Sequence, residues 1–439
     1  MKRVFASLDR HTVCECEFDE PDRYRELLSL TAAKPLIGRG AGVSYVAASF
    51  GAGATSIGMQ RFNRILAFSE AERWIEVEAG ITLGRLYEFL SGRGLCLPVQ
   101  PGHPQITIGG CIAGNIHGKN QFREGLFGDH VRGMRLFHPA HGLLDLSPEH
   151  NAKLFELTVG GFGLTGIIVS ARLSLAPLPS TAMLVRHIPV GDLVEAFARL
   201  ADLTARYDMV YAWVDLADRG RPGRGYIVAA TADPGAAPAP AAVAARDLVP
   251  SGSRLPRLFS NFTLPAINRV YRALGTRQHG TRRLPLDAVL YPAVGKERYF
   301  DAFGKTGFIE LQILVPENAA AAFIPRVLAL IRKHGCAIAL TTLKAFRGKP
   351  NLLHYTGTGF SFTIDIGNDA AARHMLDEFD EINCELGTTS AIMKDSRLSA
   401  AVARRQYAGY DTFKQRLHTF DPARLFRSDL SQRLELQVP

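Results

Sequence analysis

The sequence contains only six cysteines in 439 residues, and their spacing matches neither a zinc site nor a secreted disulfide framework. They are Cys14, Cys16, Cys96, Cys111, Cys336 and Cys384. The first two lie too close together for the usual zinc pair, and no second pair accompanies them. We therefore expect reduced thiols, as is typical of cytosolic proteins, and no metal site.

Long hydrophobic runs are also missing. No apolar stretch approaches the ~18 residues that a membrane-spanning helix needs. The first residues, Met1-Lys2-Arg3, are not followed by the apolar segment of a signal peptide. We expect a soluble cytoplasmic chain that can still associate peripherally with the inner face of the plasma membrane.

The sequence has no block of Lys and Arg interleaved with aromatic residues, which disfavours nucleic acid as a partner. The net charge is nevertheless +9, and the excess is spread along the chain. Such a surface suits an anionic substrate or membrane phosphate. With 47% hydrophobic and 21% charged residues the chain is globular, and its length favours two domains.

Two common nucleotide-binding motifs are absent. The stretch GRGAGVSY (38–45) is not a GxGxxG followed by a long helix, and the chain has no GxxxxGK[ST]. What remains is a glycine-rich loop that offers successive backbone N–H groups to a pyrophosphate. Taken alone, the same loop is equally typical of a plain turn.

A second glycine-rich stretch, Ile106 to Arg132, reads ITIGGCIAGNIHGKNQFREGLFGDHVR. Glycine at this density costs backbone entropy, so it is used where the chain turns sharply or lies against a ligand. The residues between the glycines are too apolar for a flexible linker. This pattern indicates backbone wrapped around a large planar cofactor with a phosphate tail.

The hydrophobic periodicity of residues 308–394 predicts the order β-α-β-β-α-β, an antiparallel sheet with helices on one side. The predicted strands are 308–315, 337–346, 359–366 and 390–394, and Asn368 is expected to cap the second helix. Residues 184–230 echo this unit loosely. Near the end, Asp421-Pro422 is expected to begin a short helix, and the tail to return to the first domain.

Residues 233–256 are rich in Ala, Pro and Ser and cannot form a core. We interpret this segment as a mobile loop or lid. A plain linker between domains is the alternative.

Several motifs at this spacing resemble the flavoproteins of the vanillyl-alcohol oxidase and p-cresol methylhydroxylase type. They are GRGAGVSY, PGHPQITIGG (101–110), GNIHGKN (114–120), FGDHV, GGFGLTGII (160–168), KDSR (394–397) and SDLSQRLEL. The resemblance covers nearly the whole chain and is strongest to members that oxidise carbon 2 of a polyprenyl-phosphoryl ribose. It implies a two-domain α+β fold: an FAD-binding domain (1–178), a substrate domain with an antiparallel sheet (179–388) and a C-terminal return to the FAD domain (389–439).

The resemblance also implies which residues bind FAD. They are Arg39, Gly40, Ala41, Gly42, Val43, Ser44, Tyr45, Gly102, Thr107, Ile108, Gly109, Gly110, Gly114, Asn115, Ile116, His117, Ile167 and Ile168. Many relatives attach FAD to a histidine in the first glycine loop, whereas this loop reads Gly42-Val43-Ser44. Noncovalent FAD is therefore expected, and His103 is the one nearby candidate for a covalent bond.

The implied catalytic residues are Lys394 and His117, and the implied substrate-binding residues are Tyr45, Lys119, Glu310, Gln312, Ser361 and Lys394. Lys394 follows three apolar residues at the end of a predicted strand, so we expect an apolar environment that favours the neutral amine. Asp395 and Arg397 are expected to support it. Glu310 stands where close relatives have glutamine.

Each of these residues has a structural alternative. His117 and Tyr45 are also typical of core residues, and Lys119 and Lys394 of solvated surface charges.

The implied activity is FAD-dependent oxidation of a sugar hydroxyl to a ketone, the first half of a two-enzyme epimerisation in cell-wall or polysaccharide biosynthesis. The second half requires a separate short-chain NAD(P)H-dependent reductase. One alternative is a soluble aldonolactone or alditol oxidase that uses O₂. Another is a non-catalytic binding protein with the same fold.

Overall fold

A computed structural model describes residues 1–31, 33–236, 256–278 and 280–437 of the protein. Helices and mainly antiparallel sheets are both present, and the predicted α+β class is confirmed. The domain boundaries stay a prediction. Of the predicted lid, residues 237–255 lie outside the described residues.

The chain begins with a four-stranded mixed sheet. Its elements are β1 (Lys2–Ala6), β2 (Val13–Asp19), α1 (Tyr24–Leu28), β3 (Leu36–Arg39) and β4 (Thr55–Gly58). The strand order is β1-β2-β4-β3, with β2 and β3 parallel to β4. The glycine-rich loop 38–45 leaves this sheet at the end of β3.

A five-stranded antiparallel sheet follows, in the order β5-β6-β10-β8-β9. In chain order this part contains β5 (Ile65–Ser69), β6 (Trp74–Glu78), α2 (Leu83–Ser91), β7 (Leu95–Cys96), α3 (Ile108–Ala113), α4 (Gln121–Glu124), β8 (Val131–His138), β9 (Gly142–Leu146), α5 (Ala152–Thr158), β10 (Ile167–Ser174) and β11 (Ala176–Pro177). The core of this part lies between the sheet and α2 and α3. Strands β7 and β11 form a separate pair.

The largest element is an eight-stranded antiparallel sheet. It is built from β12 (Ala182–Val190), α6 (Leu193–Leu203), β13 (Met209–Asp215), β14 (Arg224–Ala232), α7 (Leu264–Thr276), β15 (Thr281–Pro285), α8 (Leu286–Leu290), β16 (Phe308–Pro316), α9 (Ala320–His334), β17 (Ile338–Phe346), β18 (Gly359–Gly367), α10 (Ala370–Glu385) and β19 (Thr389–Ser390). The order is β15-β12-β14-β13-β17-β18-β16-β19.

Two β-α-β-β-α-β units therefore stand side by side, joined where β13 pairs with β17. The predicted unit at 308–394 is the second of them. The loose echo at 184–230 belongs to a complete first copy that ends with α7 and β15.

The two faces of this sheet are chemically different. Ile309, Leu311 and Ile313 are fully buried in the core that also contains α6, α9 and α10. Because side chains alternate along a strand, Glu310 and Gln312 point from the opposite face, toward the N-terminal part of the chain. The period-two pattern thus places polar residues of β16 where a ligand can reach them.

The C-terminal segment contains α11 (Ala400–Gln406), α12 (Tyr410–Phe420) and α13 (Asp429–Arg433). It packs against the first sheet: the Leu36 N–H donates to the carbonyl of Leu425 at 2.7 Å, and the Arg427 N–H donates to the Leu36 carbonyl at 2.9 Å. Between them, Phe426 is completely buried. The tail is thus part of the N-terminal core.

Three local predictions are wrong. Asp421 ends a helix instead of beginning one, because the residue before a proline disfavours helical backbone, and its carboxylate accepts the N–H of Leu425 at 2.6 Å. The cap of α10 is Asp369, which accepts the Ala372 N–H at 2.9 Å, and not Asn368. The predicted strand 390–394 stops at Ser390, and residues 391–394 form a turn in which the Lys394 N–H donates to the Ala391 carbonyl at 2.9 Å.

No helix among the described residues is long and apolar enough to cross a bilayer.

Candidate active site

A long cleft lies between the glycine-rich segments and the polar face of the eight-stranded sheet. The volume of the cleft, including the part that is open to solvent, is about 2450 Å³. The walls come from loop 38–45, residues 100–119, the start of β10, strands β16–β18 and the turn 391–394. Segments far apart in sequence therefore converge on one ligand-sized space.

The glycine loop is fitted closely to its neighbours. Gly42 has φ +72°, and a Cβ there would lie 2.1 Å from Nη2 of Arg39. A Cβ on Gly40 would lie 2.2 Å from Oγ1 of Thr107, the residue that caps α3. Only glycine allows the loop to lie this close to the start of α3.

Arg39 places a half-buried cation at this end of the cleft. Its guanidinium lies 4.1 Å from the ring centroid of Phe5 and donates to Ser49 Oγ at 2.8 Å. Burial, and to a lesser extent the charge of Arg3, lower the pKa of Arg39 to about 10. A cation without a carboxylate partner among the described residues suits a diphosphate.

Polar groups along the cleft fit a cofactor of this kind. Ser44 Oγ and His103 Nε2 are buried and find no hydrogen-bond partner in the described part of the chain. His103 Nδ1 accepts the Gln105 N–H at 3.3 Å, and burial lowers its pKa to about 4. A Cβ on Gly102 would meet nothing within 4 Å, so this wall leaves open space.

Most residues expected at the site line this cleft. They are Arg39, Gly40, Ala41, Gly42, Val43, Ser44, Tyr45, Gly102, Thr107, Gly109, Gly110, Gly114, Asn115, Ile116, His117, Lys119, Ile167, Ile168, Glu310, Gln312 and Lys394.

Two expected residues do not line the cleft. Ile108 is fully buried, because the short helix α3 turns its side chain into the core of the N-terminal part. Ser361 is also fully buried, and its hydroxyl accepts from Gln312 Nε2 at 2.8 Å and from Tyr355 OH at 3.0 Å. Ser361 thus orients the Gln312 amide through a hydrogen bond on the side away from the cleft.

Lys394 projects into the cleft from the turn after β19. Its Nζ lies 2.8 Å from Oε1 of Glu310 and 3.4 Å from the ring centroid of Tyr45. The environment of the amine is therefore apolar only in part, because a carboxylate lies beside it as well as an aromatic ring. Behind the turn, Arg397 pairs with Asp395 at 2.9 Å; their role in supporting Lys394 stays a prediction.

Glu310 has a second carboxyl group beside it that the sequence alone did not reveal. Asp365 is its directly opposite residue on β18 and is buried. Burial, and then the charge of Glu310, hold the pKa of Asp365 well above its usual range. Tyr299 OH donates to Asp365 Oδ2 at 2.8 Å.

His117 is held from both sides of its ring. Nδ1 lies 3.2 Å from the Gly118 carbonyl, and Nε2 lies 3.1 Å from Nε2 of Gln312. Because a carbonyl only accepts and an amide NH₂ only donates, the ring carries its proton on Nδ1. Burial, followed by the charge of Lys344, keeps the pKa of His117 well below its ordinary value.

Two further lysines face the cleft. Lys119 Nζ donates to the Leu290 carbonyl at 2.6 Å, and burial together with the charge of Lys344 lowers its pKa to about 7. Lys344 was not among the expected residues. Burial and the charge of Lys394 lower its pKa to about 8.

Neither Lys119 nor Lys344 forms an ion pair with a carboxylate of the described residues. Lys344 lies on the same face of β17 as Leu340 and Thr342, which also line the cleft. This two-residue spacing is the sequence pattern from which Lys344 could have been found.

Comparison with known proteins is decisive for the family. The FAD binding domain family matches residues 25–147. The chain is 30% identical over 418 residues to decaprenylphosphoryl-beta-D-ribose oxidase from Mycolicibacterium smegmatis, covering 91% of this chain and 89% of that protein. It belongs to the decaprenylphosphoryl-ribose oxidase family of FAD-binding flavoproteins.

Other members and relatives of this flavoprotein family match to different extents. An uncharacterized protein from Streptomyces coelicolor is 31% identical over 375 residues, covering 81% of this chain and all of that protein. L-gulonolactone oxidase from Mus musculus is 27% identical over 157 residues, or 35% of each chain. The prediction of an FAD-dependent oxidoreductase is confirmed.

In a flavoprotein of this family the cofactor accepts the hydride, and the protein supplies binding, orientation and charge. The cleft has two chemically distinct parts. Glycines and Arg39 form one end, while Lys394, Glu310 and Gln312 form the other, beside two lysines that pair with no carboxylate in the described part of the chain.

Proposed function

We propose that the protein uses FAD to oxidise carbon 2 of a polyprenyl-phosphoryl pentose to a ketone, as the first half of an epimerisation. The observation that carries this proposal is the group of Lys119, Lys344 and Lys394, which face the same cleft as the side chain of Gln312. An anionic phosphate stabilises the protonated form of buried lysines. The name of the Mycolicibacterium relative supports the same substrate.

FAD is held noncovalently. Loop 38–45 and residues 107–110 would hold the diphosphate, with Arg39 as its cation and Ser44 as a donor. Residues 114–117 and Ile167–Ile168 would hold the ring. Side-chain contact with Ile108 is excluded from this arrangement, because that side chain is buried elsewhere.

Lys394 takes the proton of the reacting hydroxyl. Its amine pairs with Glu310, so it first passes one proton to that carboxylate and then accepts the substrate's proton. Gln312 and Tyr45 position the sugar. His117 already accepts a hydrogen bond at Nε2, so we assign it to orient Gln312 and not to act as a second base.

Lys119 and Lys344 bind the phosphate of the substrate. Ser361 does not touch the sugar and acts through Gln312. A separate NAD(P)H-dependent reductase then returns hydride to the ketone from the other face. The enzyme works at the inner face of the plasma membrane, which agrees with six cysteines that are all free thiols.

Anaerobic mixing tests this function. Polyprenyl-phosphoryl ribose is expected to bleach the yellow flavin, while L-gulonolactone leaves it oxidised. Bleaching by the lactone alone would instead support an aldonolactone oxidase. Acid precipitation should release the flavin into the supernatant; flavin that stays with the protein pellet would disprove noncovalent binding and point to His103.

A further inference from the structure

We propose that one face of α7 docks on the surface of an anionic lipid bilayer and brings the cleft to its lipid-linked substrate. The docking itself is independent of the proposed function. Only its purpose, access to a lipid-linked substrate, rests on that function. Residues 258–274 expose an unusual amount of apolar surface. The exposed fractions are 49% for Leu258, 92% for Phe262, 42% for Ile267, 60% for Val270, 47% for Tyr271 and 58% for Leu274.

The helical spacing gathers four of these side chains into one stripe. Ile267, Val270, Tyr271 and Leu274 follow the i, i+3, i+4, i+7 pattern, which places them on one side of a helix. The side that packs on the protein is a different one, with Leu264, Asn268 and Gly275 buried. The helix thus has a second apolar side that the described residues leave in solvent.

The segment that carries this stripe (residues 267, 270, 271 and 274) and the strand after it are rich in arginine. Arg269, Arg277 and Arg282 are exposed and form no ion pair with the described residues. Arg272 is already paired, with Asp215 at 3.2 Å. An apolar stripe beside unpaired arginines is the pattern of a helix that lies in the interface of an anionic membrane.

The stripe is directly connected to the wall of the cleft. Tyr271 contacts Trp213 with ring centroids 4.9 Å apart, and Tyr211, on the same face of β13, lines the cleft. At the other end of α7, Leu264 packs in a cluster with Phe308 and Tyr45. A lipid whose headgroup reaches the cleft would therefore extend along α7.

Charge favours lipid over two other occupants. In a symmetric dimer through this stripe, the arginines of both copies would meet and repel each other. Residues 237–255 contain Arg246, Arg254 and one acid, Asp247, so their sequence does not complement the arginines. Phosphate headgroups of lipids carry the negative charge that complements the arginines.

The test is flotation of the FAD-loaded full chain with vesicles, without any sugar. Wild type should float with phosphatidylglycerol-phosphatidylcholine vesicles and stay behind with phosphatidylcholine alone. The double variant Val270→Ser/Leu274→Ser should bind at least about tenfold more weakly, because both side chains lose their place in the interface. Both are exposed, so folding is preserved, as flavin content and the melting temperature would show.

Val194→Ser is the matched control, because Val194 is 61% exposed on α6, which covers the other face of the sheet. Equal flotation of wild type and the double variant would overturn the proposal. So would flotation seen only after deletion of residues 237–255, since that segment would then be the occupant. Docking without oxidation of polyprenyl-phosphoryl ribose would disprove the proposed substrate and leave the docking surface intact.

Discussion

Glu310 and Asp365 face each other as paired residues of neighbouring strands, and Lys394 lies 2.8 Å from the first of them. Two carboxylates this close do not both ionise. Asp365, whose pKa is held high by burial and by Glu310, keeps a proton, and its otherwise unpartnered Oδ1 can donate it. The Lys394 ammonium therefore balances one negative charge, that of Glu310.

Replacing Glu310 by glutamine should strengthen substrate binding. The change removes the negative charge nearest the phosphate-binding lysines, and we expect KM for a phosphorylated sugar to fall about tenfold. Steady-state kinetics of Glu310→Gln would measure this. Glu310→Asp, which keeps the charge, should leave KM near the wild-type value; a KM that rises equally in both variants would contradict the electrostatic explanation.

Removing the Lys394 amine should abolish the chemistry while FAD still binds. We expect Lys394→Ala to slow anaerobic flavin reduction by about 10²–10⁴-fold, the usual contribution of a positioned acid or base. Stopped-flow absorbance measures the rate, and the flavin-to-protein ratio serves as the control. Lys394→Arg keeps the positive charge but cannot act as a base, so near-normal reduction in that variant would show that Lys394 acts only as a cation.

Ser361 should affect catalysis through Gln312. In Ser361→Ala the Gln312 amide loses one hydrogen-bond acceptor and becomes free to move. We therefore expect kcat to fall by about tenfold and KM to rise by less. Kinetics together with Ser361→Thr, which keeps the hydroxyl, separates this role from packing. If Thr fails to restore kcat, the hydrogen bond is not the cause.

Substrate affinity should weaken as the pH rises through the range 7–8. Burial and neighbouring lysines lower the pKa of Lys119 to about 7 and that of Lys344 to about 8, so both are charged below this range and neutral above it. We expect the affinity for a phosphorylated sugar to drop by about tenfold or more between roughly pH 6 and pH 9. Binding titrations of Lys344→Arg should show a flatter profile, since arginine stays protonated.

The C-terminal tail should contribute strongly to stability. Phe426 is completely buried between β3 and its neighbours, so Phe426→Ala should cost about 3–5 kcal/mol of the free energy of unfolding. Thermal denaturation of the FAD-free protein measures this. Leu66→Ala, at a side chain that is 43% exposed, is the control and should change the melting temperature little.

Strand and helix periodicity predicted the second unit of the large sheet well, because its strands are dense apolar runs, buried along nearly their whole length in β16 and β18, and its helices bury a regular apolar stripe. The first unit was only partly visible. Its second helix, α7, exposes apolar residues such as Val270, so the usual pattern of a half-buried helix is blurred there.

The errors at the site have local causes. Ile108 sits among cofactor-type glycines, but a helix of only six residues turns it into the core, which spacing does not reveal. Lys394 follows apolar neighbours in the sequence, yet the fold places the carboxylate of Glu310, 84 positions earlier, beside its amine. The partnership of Glu310 with Asp365 depends on strand register, and a single sequence does not specify that register.

The junction between β13 and β17 is only three residue pairs long, and it separates two tasks. The second repeat contributes Glu310, Gln312 and Lys344 to the cleft, while the first carries α7 and the stripe that we propose to dock on the membrane. Evolution can therefore alter the lipid carrier that is recognised without disturbing the redox chemistry. A chimera that exchanges residues 179–290 between relatives would then inherit its membrane preference from one parent and its sugar from the other.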